Sequence, residues 1–446
     1  MLRSRLTIII TFVVMSVLQL TYLHAQSVSD IEIARPLDGA TVREKVRIIV
    51  PGRCVPQGGF VAYFIDGRFR AAVSNPDENG GSYVYVWDTK AEETDPSLTP
   101  EQRKPREGKH TIKVQALDAG GKKTGKSKEI TVYVKNKAEL PPGGIRLRYK
   151  LRQGMVVDYK YSITASLKSI QGTTELANTV GQAFEGSELV VRRSVEDARP
   201  DGTFLIRQKP IGTIKLVQGG RSVPAPSLNI RAAYDIEDLS GRVSYIMGSS
   251  SPGLLITVDL PNFPSNKLVV GDSWTSRDKV IRDVLTGESL VLNTHSTLEG
   301  AEWHNGYPCA KIVTTFEGIG RSPFPTALKG NSQIKGETIT YFAYQIGKLI
   351  SSVTTATITA ETDSASVSAL AQQITSGSSY ASSVLSGASL GVSSSTSGPG
   401  GFEEPPPPLP TTSGPSFSVG TRRSTTPTQS SVQVVFEVKQ SLELAR

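Results

Sequence analysis

Val432-Gln433-Val434-Val435-Phe436-Glu437-Val438-Lys439-Gln440-Ser441-Leu442-Glu443-Leu444 is the most regularly patterned stretch of this 446-residue chain. Val432, Val434, Phe436, Val438, Leu442 and Leu444 fall on one side, and Gln433, Glu437, Lys439, Ser441 and Glu443 on the other. A period of two marks a half-buried strand. A strand without neighbours leaves its backbone donors and acceptors unpaired, so this one requires a sheet. The nearest strand candidate upstream is Leu349–Thr359. Residues 363–431 lie between them, dominated by Ser, Gly, Thr and Pro and including Pro405–Pro408. Such a composition buries too little apolar surface to fold, so the segment is expected to be a disordered insertion, with Ser364–Ile374 at most a marginal helix. Loop-closure cost grows only logarithmically with length, so the last strand can still reach Leu349–Thr359.

Working back from that strand, further candidates are Val156–Ile163, Glu188–Val195, Thr203–Arg207, Thr213–Val217, Leu254–Asp259, Ala310–Phe316 and Thr338–Tyr344. Asp201-Gly202 and Asn305-Gly306 are hairpin signals, since both residues tolerate positive φ. Ala232–Leu239 reads as one or two helical turns. The expectation is a domain over 145–362 with 432–446: a large, curved, half-barrel-like antiparallel sheet.

Residues 28–136 read as a separate sandwich. Val46–Val50, Phe60–Ile65, Tyr83–Trp87, Thr111–Ala116 and Ile130–Val134 are short apolar runs. They are separated by turn residues such as Pro36-Leu37-Asp38-Gly39, Asp66-Gly67, Asn79-Gly80-Gly81 and Gly120-Gly121. Nothing there has helical period, so an immunoglobulin-like β-sandwich is expected. Residues 137–144, with Pro141-Pro142-Gly143-Gly144, form a linker. The chain is thus expected to be all-β.

The stretches Pro36–Val42, Phe64-Ile65-Asp66-Gly67, Trp87-Asp88-Thr89, Gly108–Ile112 and Ala116-Leu117-Asp118 resemble, in order, bacterial Ig-like modules appended to many secreted proteins and glycosidases. The resemblance implies a spacer or adhesive unit. The polar stretch Glu92–Glu107 departs from it and reads as a surface loop. Arg148–Gly154, Pro261–Trp274 and Gly306–Ile312 resemble landmarks of bacterial envelope β domains whose sheet curls into a half-barrel like that of lipoprotein carriers. That resemblance brings no catalytic residues with it.

The N-terminus sets the compartment. Arg3 and Arg5 precede the uncharged, mostly apolar run Leu6–Leu23, which ends at Leu23-His24-Ala25. This is the pattern of a secretory signal over residues 1–25, cleaved after Ala25; the alternative is a retained membrane anchor. Both readings export the rest to the periplasm, cell surface or medium. The formal net charge is +8, or +6 without Arg3 and Arg5. The basic residues do not cluster with aromatics, so nucleic acid is not an expected partner. Envelope polymers, lipid or another surface protein are. Cys54 and Cys309 are the only cysteines, and two buried thiols are favoured over a disulfide spanning 255 positions.

No catalytic constellation emerges, and no cofactor is implied. Gly387-Ala388-Ser389-Leu390-Gly391 matches a nucleophile elbow, but no His follows His304. His110, His295 and His304 are dispersed and read as exposed polar residues. Asp272, before Trp274, and Asp259, before Pro261, have no spacing specific to paired-carboxylate chemistry. Asn75, Asp77 and Asn79 resemble the first half of a calcium loop, yet Val86 stands where the bidentate Glu belongs. Tyr83, Tyr85 and Trp87 alternate along one strand: outward, they form a ligand-stacking platform; inward, they are core. Together with Trp274 they are the candidate ligand-binding residues, with the inward reading favoured. Three functions stay open: a non-catalytic exported protein, a binder of an apolar ligand on the curved sheet, and a polysaccharide-recognising accessory protein.

Overall fold

The computed structural model describes residues 30–77, 81–92, 98–170, 183–218, 221–224, 230–248, 254–255, 260–282, 289–321, 331–363 and 431–445. The regions expected to hold the export signal, the Ser389 motif and nearly all of the insertion lie outside these. The protein is all-β and divides into two compact units, one running to Glu139 and including Ala301–Pro308, the other Leu140–Gly300 with Cys309 onward. The first division falls within the Pro/Gly-rich stretch at 137–144.

The first unit is an immunoglobulin-like sandwich. Its strands are β1 (Thr41–Val42), β2 (Lys45–Pro51), β3 (Phe60–Ile65), β4 (Arg68–Val73), β5 (Ser82–Asp88), β6 (Gly108–Leu117) and β7 (Lys123–Val134). One sheet runs β1-β7-β6-β3-β4, and β2 pairs with β5 in the other. Inward residues of both sheets make one core: Ile48 and Val50 from β2, Tyr63 from β3, Trp87 from β5, Val114 from β6 and Val132 from β7. The β3–β4 turn uses Asp66 and Gly67 at φ 51° and 76°, the two left-handed residues that a type I′ hairpin needs. The Glu92–Glu107 stretch holds one helical turn, α1 (Pro100–Arg103). Both Glu107 carboxylate oxygens accept the Asn136 amide at 3.0 Å, which fixes the end of β7.

The second unit is built on one twelve-stranded sheet. Its strands are β8 (Val156–Ile170), β9 (Ala183–Ala198), β10 (Phe204–Gln218), β11 (Arg221–Pro224), β13 (Ala233–Glu237), β14 (Val243–Gly248), β16 (Ser273–Arg282), β17 (Ser289–His304), β18 (Tyr307–Arg321), β19 (Asn331–Ala343), β20 (Lys348–Asp363) and β21 (Ser431–Leu444). The order is β14-β13-β10-β9-β8-β21-β20-β19-β18-β17-β16, with β11 paired to β10. A short parallel pair, β12 (Ile230–Arg231) with β15 (Leu254–Leu255), stands apart. β21 pairs antiparallel with β20 from Ser351↔Glu443 to Asp363↔Ser431. Its other edge pairs with β8. The final strand therefore joins the two halves of the sheet. Val434 and Phe436 are fully buried, as the period-two reading requires.

Two expectations are corrected. Ala232–Leu239 contains no helical turn: β13 lies there, because its odd positions Ala233, Asp235 and Glu237 are the buried ones. Thr203–Arg207 and Thr213–Val217 are one strand, β10, continuous through Lys209 and Pro210 with register shifts against β9. Of Leu254–Asp259 only Leu254 and Leu255 are described.

A single sheet has no second layer, so it must bury a face by curling and by covering it with its own chain. The curved sheet does both. Segments 145–151 and 260–268 cross its inner face, held together by Ile145 N to Leu268 O at 2.9 Å and Leu268 N to Ile145 O at 2.8 Å. Tyr149, Phe263 and Phe342 meet there with ring centroids 4.6–5.3 Å apart. A second apolar cluster, with Leu167, Leu292, Ile334, Ile358 and Phe436, fills the same face further along. Gly336 serves the curl: a Cβ there would lie 2.4 Å from the Phe316 ring and 2.6 Å from the Thr355 carbonyl.

Candidate functional site

The inner face of the curved sheet is where the second unit concentrates its unusual chemistry. At the β8–β9–β10–β13 end, the apolar parity of β9 runs Leu189, Val191, Arg193, Val195. Arg193 thus points into the core, 6% exposed, and pairs with Glu237 of β13, 2% exposed. Beside them Gln208 of β10 donates its side-chain amide to Asp235 of β13. Burial disfavours a charge on Arg193, but the facing Glu237 outweighs it and holds the guanidinium protonated. Burial pushes the Tyr159 hydroxyl up to about 12, so it stays neutral at any physiological pH. Arg193 Nε and Glu237 Oε2 make no hydrogen bond among the described residues. The small, partly open pocket beside Arg193 and Tyr159 measures about 20 Å³, with Tyr149, Leu151, Val157 and Ile206 among its walls. That holds about one water molecule and no organic ligand.

Between the two apolar clusters the inner face turns polar. Thr314, Thr338, Thr354 and Gln440 stand in register across β18, β19, β20 and β21. Their hydroxyls satisfy one another: Ser296 and Thr314 at 2.8 Å, Thr338 and Thr354 at 2.8 Å. The threonine hydroxyls of the row thus pair with neighbouring hydroxyls.

The larger concavity is an open depression of about 680 Å³ over β16–β19, lined by Thr275, Asn293, His295, Thr315, Phe316, Glu317 and Lys335 among others. Most of the residues that line it are polar, and Phe316 is its large apolar side chain.

The sequence-derived candidates occupy other places. Tyr83 and Trp87 are 6% and 9% exposed and belong to the sandwich core, while Val86 on the opposite face is 49% exposed. Tyr85 packs against that core and tilts onto Tyr63 at 5.4 Å. The favoured inward reading thus holds on β5 and the outward stacking platform does not: the strand's large side chains fill the gap between the two sheets. Trp274 is partly buried, its indole N–H donating to the Asn262 carbonyl at 3.2 Å, and it anchors the 260–268 segment. Of the calcium-loop candidates Asn75, Asp77 and Asn79, Asp77 lies in the turn that leads into β5. Asp77 exchanges hydrogen bonds with Ser82 across the turn into β5. Asn79 lies outside the described residues, which hold no metal-binding group of His, Cys, Asp or Glu side chains. Asp272 caps its own turn by accepting the Val269 amide at 2.8 Å. Asp259 is not described. Cys54 and Cys309 are both fully buried, each within its own unit.

His295 is exposed on the sheet, but His110 is 8% exposed, correcting its reading as an exposed residue. His110 Nδ1 lies 2.7 Å from Asp66 Oδ2 and Nε2 3.1 Å from the Arg106 carbonyl, with the ring edge-on to Trp87. Both partners are acceptors, so only the doubly protonated ring satisfies both contacts. The Asp66 hydrogen bond raises the His110 pKa against the opposing effect of burial. For Asp66, burial works upward, but His110 and the Thr111 amide outweigh it and lower the pKa.

Compared with known proteins, the sequence matches no protein-family model and no curated protein.

Proposed function

We propose that this is a non-catalytic exported protein of the cell envelope, in which the Ig-like module acts as a spacer or adhesive unit and the second unit is a rigid, self-filled sheet. The observation that carries the reading is the inner face of the curved sheet. Its apolar end is occupied by segments 145–151 and 260–268 of the same chain, and the pocket beside them is only about 20 Å³. An acyl chain needs a continuous apolar groove of several hundred cubic ångströms. The inward Tyr83, Tyr85 and Trp87 likewise weigh against polysaccharide stacking on β5. The similarity of 28–136 to bacterial Ig-like modules and the signal-like residues 1–25 support the export side of the reading.

The test is secretion from a heterologous periplasm followed by native mass spectrometry. The expected result is a periplasmic chain starting at Gln26 whose mass carries no acyl ligand. A stoichiometric lipid adduct would overturn the self-filled sheet, and a cytoplasmic, unprocessed chain would overturn export.

A further inference from the structure

The tip of the β17–β18 hairpin, Ala301–Pro308, groups with the first unit, although residues 140–300 of the second lie between them in sequence. It sits at the end of the sandwich where the chain leaves β7. Residues 136–138 continue β7 as a short strand beside it. Trp303 N donates to Asn136 O at 2.7 Å, Ala138 N donates to Ala301 O at 2.9 Å, and Lys137 bridges Glu302 in antiparallel register. Lys90, just past β5, donates its ammonium to the Trp303 carbonyl. It also pairs with Glu302 at 3.3 Å, the two side chains 24% and 26% exposed. The Arg43 guanidinium lies 3.6 Å from the centre of the Trp303 ring, a cation–π contact. Gly306 N donates to Glu44 Oε2 at 2.9 Å.

Both sides of this contact are prepared for it. Asn305 and Gly306 take φ 50° and 83°, so the hairpin signal read from the sequence builds a tight turn that presents the Gly306 amide. On the sandwich side, Glu44 stands at φ 56°, a left-handed backbone that a non-glycine residue keeps only where its surroundings fix it. Its amide donates to Asn136 Oδ1 at 2.8 Å. Its carbonyl accepts the Thr89 amide at 2.8 Å and the Thr89 hydroxyl at 2.9 Å. Asn136 is 6% exposed, and its Nδ2 donates to the Thr89 carbonyl at 3.4 Å. One buried asparagine thus ties the β1–β2 turn and the end of β5 to the end of β7, and its own carbonyl carries the hairpin.

We infer that this end of the sandwich is a docking site for a strand–turn–strand segment that sets a tryptophan beside a glutamate, and that segment 301–308 of the same chain fills it as part of the first unit's cooperative fold. The unit is completed from a distance. Without the segment, residues 136–138 lose their strand partner, Lys90 loses the Glu302 carboxylate and Arg43 loses the Trp303 ring. The module boundary read from the sequence, 28–136, stops short of the folding unit, which is 30–139 with 301–308. The inference holds wherever a cell places the chain, so it stands or falls separately from the exported reading above.

The experiment is native-state hydrogen exchange of the full chain, with one replacement on each side of the contact. Ile48→Val thins the sandwich core at a fully buried site in the middle of β2. It should speed exchange at Val114 of β6 about fivefold. The Ala138, Trp303 and Gly306 amides should speed by the same factor, while Ala310–Ile312 of β18 keep their wild-type rates. Coupling is reciprocal, so Trp303→Ala should speed exchange through Ile112–Ala116 of β6 about tenfold, again without moving Ala310–Ile312. Trp303→Phe keeps a ring under Arg43 and should restore most of that protection. Tip amides unmoved by Ile48→Val, or β6 amides unmoved by Trp303→Ala, would leave the tip resting on the sandwich without belonging to its fold, and would overturn the inference. Equal acceleration at Ala310–Ile312 would make either effect a general loss of stability and overturn it too.

Discussion

The two units bury their cores by different means, and the difference shows in what each core contains. The sandwich presses two sheets face to face, and its interior residues are apolar from strand to strand, with Tyr63 sending its hydroxyl to the Tyr83 carbonyl at 2.8 Å. The second unit has one sheet, and its inner face carries an Arg–Glu pair, a Gln–Asp hydrogen bond and a hydroxyl row between two apolar clusters. In the sandwich the half-buried ion pair Asp66–His110 sits at the β3–β4 turn. Two opposed faces bring enough apolar surface to close a core alone. A curled sheet must also match each side chain to a changing curvature, and polar pairs occupy places where its apolar residues do not meet.

That contrast can be broken most forcefully at the buried ion pair. Glu237→Ala leaves Arg193 charged and buried without its partner, and should destabilise the second unit by about 3–5 kcal/mol. The double replacement Arg193→Leu with Glu237→Leu should be close to neutral or stabilising. Denaturant unfolding followed through Trp274, in a Trp87→Phe, Trp303→Phe background, reads this unit by itself. If the single and double replacements cost the same, the pair is held together by packing alone.

The next largest effect tests the curl. Gly336→Ala forces its methyl against the Phe316 ring and the Thr355 carbonyl, and should cost about 1–3 kcal/mol in the same assay. Adding Phe316→Leu should restore only part of the loss, because the backbone carbonyl stays in place. Full rescue would shift the constraint from the curvature of the sheet to one ring.

The smallest effect belongs to the sandwich pole. The raised His110 pKa means its stabilisation is complete below the unfolded value near 6.5 and is lost as pH rises through the folded value. The lowered Asp66 pKa means its contribution is complete above about 3.8 and is lost as pH falls through its folded value. The pair therefore works best between these limits. Asp66 is nearly half exposed, so solvent limits the effect to about 1 kcal/mol. Wild-type protein should hold its first unit more firmly at pH 5.5 than at pH 8.5, and His110→Gln should abolish that difference. An unchanged pH slope in the variant would assign the titration to another group.

How far the sequence could be read follows the same division. Strands β6 and β7 were legible by their alternation of apolar and polar residues, and β2, β3 and β5 as short apolar runs between turn residues. β4 was missed, since Arg68-Phe69-Arg70-Ala71-Ala72-Val73 has no clean alternation. In the second unit β21 was plain, as was its partner β20. β13 was misread because its buried face is Ala233, Asp235 and Glu237, so that Tyr234 and Ile236 mark the wrong side. The Arg193–Glu237 pair had half a signal: Arg193 occupies an apolar-parity position between Val191 and Val195. Its partner could not be named, because Glu237 is 44 residues away and is brought alongside only by the β9–β10–β13 order.

The central claim is that the last strand is interior to the sheet, joining β8 to β20. Native-state hydrogen exchange along Val434–Leu444 tests it most directly. A strand with neighbours on both edges has successive amides bonded to alternate sides, so the account predicts unbroken slow exchange through this stretch, matching β20. Protection at every second amide would mean a strand with one neighbour, and rapid exchange throughout would mean no strand; either result would contradict the account.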